Sequence, residues 1–125
     1  MSARRTTRTT TGRRVTRLVA VPGVLWGAAM LLRPGDVTRS VCGGGPEPAA
    51  WIVRVLGARL VIQDLVTLVH PTREVVLAGA ATDALHAASM VAAHVRWPEH
   101  ARPIRVSGVT SAGSALVGAL TAGRR

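Results

Sequence analysis

The sequence predicts an all-α fold: a four-helix, up-down transmembrane bundle behind a disordered basic amino-terminal arm. Three observations predict it. The 125 residues contain four long apolar stretches separated by segments rich in Arg, Pro and Gly. Hydrophobic residues make up 48% of the chain, yet it has no Phe or Tyr and only three Trp. A water-soluble core of this size would use aromatic rings for buried area, whereas small-residue packing in lipid does not need them. Lastly, the basic residues number sixteen, all of them Arg, against six acidic residues, and they sort unequally between the two ends of the apolar stretches. The length suits one domain and excludes a large multidomain enzyme. A net charge of +10 alone would suit a nucleic-acid-binding domain or a disordered basic chain. The apolar content argues against the second, and the missing aromatics argue against a compact soluble form of the first.

Residues 1–14 are Arg, Thr, Ser and Gly with almost nothing apolar. No core can form there, so they read as a flexible cytoplasmic arm. Arg4, Arg5, Arg8, Arg13 and Arg14 lie in it, and Arg17 follows. Such arginines attract anionic lipid at about 1 kcal/mol each. Nucleic acid would need no more than this charge, so lipid is the expected partner.

The first helix is placed at 15–33. Its fifteen uncharged residues from Leu18 to Leu32 span about 22 Å, and the flanking Arg17 and Arg33 snorkel to the surfaces. Pro22-Gly23 is expected to kink it. A cleaved signal peptide is the rival reading, but no A-x-A site follows the apolar run. Cys42 follows Val41 rather than a small residue and makes a poor lipoprotein site. As the lone cysteine it forms no intramolecular disulfide.

Residues 34–49 hold three Pro and four Gly and read as a loop. The triplet Gly43-Gly44-Gly45 is no phosphate loop, since no Lys-Ser/Thr follows it. The second helix is placed at 50–70 and the third at 75–95, joined by a tight turn at His70-Pro71-Thr72-Arg73-Glu74. A polar loop follows from Arg96 to Pro103. The fourth helix, 104–122, is small-residued and uncharged after Arg105. His70 and His100 read as loop residues.

Alternating direction along the four helices puts nine arginines on one side: Arg4, Arg5, Arg8, Arg13, Arg14, Arg17, Arg73, Arg124 and Arg125. The other side carries five, Arg33, Arg39, Arg96, Arg102 and Arg105, with three of the acids. The excess predicts a plasma-membrane protein with both termini cytoplasmic. Trp51 and Trp97 mark the outer ends of helices two and three, as interfacial Trp does, and Trp26 lies in the outer half of helix one.

Ionisable groups inside a membrane helix are costly unless paired or facing a cavity. On helix two, Arg59, Gln63 and Thr67 lie within about 80° of one another, with Asp64 about 60° further round. On helix three, Asp83, His86, Ala87, Met90 and His94 share a stripe about 100° wide. Folding the hairpin about residues 72–73 brings Arg59 level with His86 and within one turn of Asp83. An Arg59–Asp83 pair is therefore expected, because a guanidinium fork fits a carboxylate. Gln63 and His86 are its hydrogen-bonding neighbours. Asp64 is left to reach Arg73 or water, and Arg54 to snorkel outward. The cluster Arg59, Gln63, Asp64, Asp83 and His86 then has two readings. It locks helices two and three, or it forms a proton, ion or lipid head-group site.

His86, Met90 and His94 recur every four residues and could face a metal or haem. Chance placement in an Ala-rich helix accounts for them as well, so no metal, cofactor or catalytic residue is assigned. Ser107, Ser111 and Ser114 belong to small-x-x-x-small spacings such as Ser114-x-x-x-Gly118. These suit close packing on the Ala80, Ala84, Ala88 stripe, or on a partner or second copy. The expected function is a non-enzymatic interaction or accessory subunit. The alternative is a small transport component or membrane enzyme using Arg59, Asp83 and His86.

The run Arg54-Val-Leu-Gly57-Ala-Arg59, continuing to Gln63-Asp64 and followed by Asp83 and His86, resembles a family of small uncharacterised actinobacterial multi-pass membrane proteins. Their pattern is an R-x-L-G-x-R helix, then an Asp-bearing helix, then a small-residue helix. The resemblance covers residues 50–122 and implies a multi-pass membrane protein without assigned activity. The Arg/Thr arm and the Gly/Pro segment 34–49 depart from it. Arg without Lys, beside abundant Ala, Val and Gly, also fits the GC-rich coding of actinobacteria. Gly57 is expected to let helix three approach where Arg59 meets Asp83.

Overall fold

The computed structural model describes residues 2–123, with side chains described from Thr10 onward. Arg124 and Arg125, counted above with the cytoplasmic side, lie outside the described residues. The described chain is all-helical: α1 (Ser2–Leu32), α2 (Pro34–Cys42), α3 (Ala50–Val69), α4 (Arg73–Arg96), a 3-10 turn at Pro98–His100, and α5 (Ala101–Ala122).

Three expectations are corrected. The arm expected to be disordered continues α1 back to Ser2. Ser, Thr and Arg are tolerated in a helix, and an apolar span already wound supplies the nucleus, so extension adds a hydrogen bond per residue. The stretch 34–42, expected as loop, is α2. Its Pro34 stands at the first helical position, where no N–H is needed, and Asp36 occupies the first turn. Gly43 ends it in the left-handed region at φ 57°, donating its N–H to the Arg39 carbonyl. Proline and glycine here punctuate a helix rather than fill a loop. The polar segment after Arg96 is likewise a 3-10 turn leading into α5 at Ala101. Pro103 falls in that helix's first turn, which tolerates a missing N–H.

The four long helices alternate in direction. Gly23 of α1 faces Asp64 of α3, while Gly27 faces Gly57 and Leu60. Gly118 of α5 meets Ala80 of α4, and Gly108 meets Met90. The bundle divides into two tightly packed pairs, α1 with α3 and α4 with α5. Consecutive helices α3 and α4 share a short turn but touch much less. The expected lock between them is therefore confined to side chains that reach across.

Gly57 has a different role from the expected one. A Cβ added there would lie 2.7 Å from the Gly27 carbonyl oxygen and 2.7 Å from Met30 Cβ. It sets the α1–α3 crossing, not the approach of α4. Two glycines facing each other let the backbones come within reach of their carbonyls. Gly118, where an added Cβ would lie 3.0 Å from Ala80 Cβ, does the same for α4 and α5, the packing expected of that small-residue helix.

α2 lies over one end of the bundle. Its buried face is Pro34, Val37, Thr38 and Cys42. Met30, Val37 and Val53 form a small core there, with Ala29, Val41, Leu56 and Leu60 against it. The opposite face carries Asp36 and Arg39, which pair with each other. Thr72 caps α4, its hydroxyl accepting from the Val75 N–H.

Elsewhere the apolar side chains face outward. Leu18, Leu85, Val95 and Val109 are each more than 70% exposed, and among the described residues no large side chain is fully buried. Thr10–Leu32 and Arg73–Arg96 are each long and apolar enough to cross a membrane.

Candidate functional site

The two helix pairs flank a half-open cavity of 610 Å³. Its lateral walls come from α1, α3, α4 and α5, and α2 contributes Val37, Thr38, Val41 and Cys42 at one end. The sequence-predicted residues Arg59, Gln63, Asp64, Asp83 and His86 all line it.

Asp83 is the centre of the polar group. It is buried, at 6% exposure. Arg59 donates from Nη2 to Asp83 Oδ1 at 2.8 Å, and Gln63 donates from Nε2 to Oδ2 at 3.1 Å. Each carboxylate oxygen thus has one donor. The spacing explains the arrangement: Arg59 and Gln63 are four apart and present their heads on one side of α3. Gln63 passes over Gly79, one turn before Asp83, where an added Cβ would lie 3.5 Å from its amide nitrogen. These bonds bridge the sparsely packed seam between α3 and α4.

His86 is not bonded to this group. Its Nε2 lies 2.8 Å from Ser107 Oγ on α5, so it ties α4 to α5. Sequence reasoning missed Ser107 as its partner. The signal was the first hydroxyl of the Ser107, Ser111, Ser114 face, but nothing in the sequence says that α5, rather than α3, packs beside His86.

Asp64 does not reach toward Arg73. Its carboxylate sits against Gly23 of α1, so closely that an added Cβ would collide with it. Thr67, grouped with Arg59 and Gln63 by the periodicity, donates its hydroxyl to the Gln63 carbonyl at 2.9 Å. Met90 lies under Gly108, and His94 is exposed, so the His86, Met90, His94 series points to different neighbours.

At the α2 end, Cys42 is buried beneath the cap. Burial pushes its thiol up; Glu47 adds to this and Arg102 opposes it. Arg102 reaches the left-handed turn at Gly43 so closely that an added Cβ would collide with its guanidinium. The Arg96 guanidinium lies 5.8 Å over the Trp97 ring.

No protein-family model, curated protein or solved structure matches the chain.

Proposed function

We propose that the chain is an integral plasma-membrane protein with four spans, α1, α3, α4 and α5, and both termini cytoplasmic. In this reading it serves as a non-enzymatic accessory or interaction subunit. The observation that carries it is the inverted distribution of polarity. Large apolar side chains face outward from all four long helices, while Arg59, Gln63 and Asp83 meet inside. In water such a surface is an aggregation liability; in lipid it is the solvated face. α3 carries three charges, Arg54, Arg59 and Asp64, but is otherwise strongly apolar. Its length of 20 residues still corresponds to about 30 Å, the thickness of the hydrocarbon layer. The polar groups satisfy one another, as a tie between helix pairs requires. Trp51 and Trp97 lie at the α2 end, the expected outer interface.

The test is extraction and labelling. The tagged full chain should stay in the membrane fraction at alkaline pH. In a Cys42→Ala background, Gly44→Cys should react with a membrane-impermeant maleimide in intact cells, and Thr72→Cys only after permeabilisation. Release at alkaline pH defeats the membrane reading. Reversed labelling defeats the topology.

A second reading, a small transport or binding component, is favoured by the cavity itself. Two well-packed helix pairs held apart by a few polar bonds leave room that a purely structural bundle would close.

A further inference from the structure

The bonds between α3 and α4 leave one carboxylate in the cavity uncommitted. Asp64 lines the cavity, is only partly exposed, and makes no hydrogen bond or ion pair among the described residues. Its seat against α1 exists because residue 23 is glycine. The residue before it, Pro22, lies inside the helix and donates no N–H. The carbonyl of Leu18, four residues earlier, therefore loses its helical partner. Leu18 also lines the cavity. Asp64 of α3 thus brings an unbonded carboxylate to the cavity wall beside this stretch of α1.

The charge count has the same sign. The cavity is lined by one guanidinium, Arg59, and two carboxylates, Asp64 and Asp83. Arg59 is engaged with Asp83, so the surplus is the negative charge of Asp64. An unpaired carboxylate at membrane depth costs several kcal/mol, and a cation beside it removes that cost. A small inorganic cation needs about six oxygens gathered at one point, whereas Asp83 is already occupied by Arg59 and Gln63. The walls are mostly apolar. Trp26 lines the cavity one helical turn beyond Gly23, and an indole face attracts organic cations. The volume of 610 Å³ falls within the range of small-molecule sites.

We infer that the cavity binds a lipophilic organic cation, its charge against Asp64 and its apolar body against Trp26. This rests on the second reading above, in which the cavity is the working part. A phospholipid ammonium group fits less well: it brings a phosphate, and the one arginine on the wall is already held by Asp83.

The test uses the full chain, purified in mild detergent, with tetraphenylphosphonium as probe. Binding is followed by equilibrium dialysis and by quenching of Trp fluorescence. The wild type should bind it saturably, and tetraphenylborate, the same shape with opposite charge, should not bind when tried separately. Asp64→Asn should weaken binding by at least about tenfold, and Asp64→Glu should retain most of it. Asp36→Asn, on the outer face of α2, should match the wild type. Asp64→Asn removes an unpaired charge and leaves the bonds of Arg59 and Gln63 to Asp83 intact, so it should remain monodisperse. Equal binding by Asp64→Asn overturns the inference. So does a membrane-retained, monodisperse wild type with no saturable binding, which leaves the membrane reading standing. Release of the wild type from membranes at alkaline pH overturns both.

Discussion

Removing either member of the Arg59–Asp83 pair leaves the other without its counter-charge, and the structure makes the two losses unequal. The Asp83 side chain is 8% exposed and that of Arg59 is 25% exposed. In Arg59→Gln the carboxylate stays buried with one donor, Gln63 Nε2 at 3.1 Å. Breaking a buried pair from one side costs about 3–5 kcal/mol, and the surviving bond places this variant near the lower figure, about 3 kcal/mol. In Asp83→Asn the guanidinium keeps partial access to the cavity, and the amide oxygen still accepts a hydrogen bond. That variant should lose about 1–2 kcal/mol. The double variant buries no charge at this seam and leaves two amides that bond to each other. Its loss should be about 2 kcal/mol, well short of the sum, so the coupling is about 2–3 kcal/mol, as expected for residues in contact. The assay is unfolding of all four proteins in mixed micelles of mild detergent titrated with dodecyl sulfate, followed by far-ultraviolet circular dichroism. If the two single losses add to within about 0.5 kcal/mol, the residues do not act as a unit. The bridge between the helix pairs must then be sought elsewhere.

Gly57→Ala should lower stability by about 1–3 kcal/mol, because the new methyl meets the Gly27 carbonyl and Met30. Gly35→Ala, with nothing within 4 Å, should be neutral or stabilising in the same dodecyl sulfate unfolding assay, and equal effects would refute the crossing argument. His86→Ala and Ser107→Ala should each cost about 1 kcal/mol, and together little more, since they share one bond of 2.8 Å. Cys42 is buried and its thiol is pushed up, so iodoacetamide at pH 8 should alkylate the folded protein much more slowly than the denatured one. The sign for stability follows: the neutral thiol is favoured by the fold, so its contribution is complete below the ordinary thiol range and fades as pH rises above it. Equal alkylation rates in the two states would show that α2 does not cover the thiol.

The meeting of Arg59 and Asp83 was legible in the sequence because two constraints combine there. Charge inside an apolar helix needs a partner, and a short turn fixes the relative register of the helices that carry the candidates. The same reasoning failed for Asp64, Gly57 and His86, and for a common cause. Periodicity assigns each side chain a direction about its own helix axis, but does not say which helix occupies that direction. The reading assumed that α3 packs along α4, to which a short turn joins it; here α3 lies on α1, while α4 lies on α5 as expected. Glycine and alanine suit any close crossing, so they carry no address. α2 was missed for another reason: Pro34 and Gly43 are the residues both of loops and of helix ends, and only the dihedral angles separate the two uses. What the pairing adds is the cavity. Had α3 and α4 packed as closely as their turn allows, Arg59 and Asp83 would have met inside a closed seam and Asp64 would have lain outside it. With each packed on an outer partner, the same side chains span a gap, and the carboxylate without a partner faces into it.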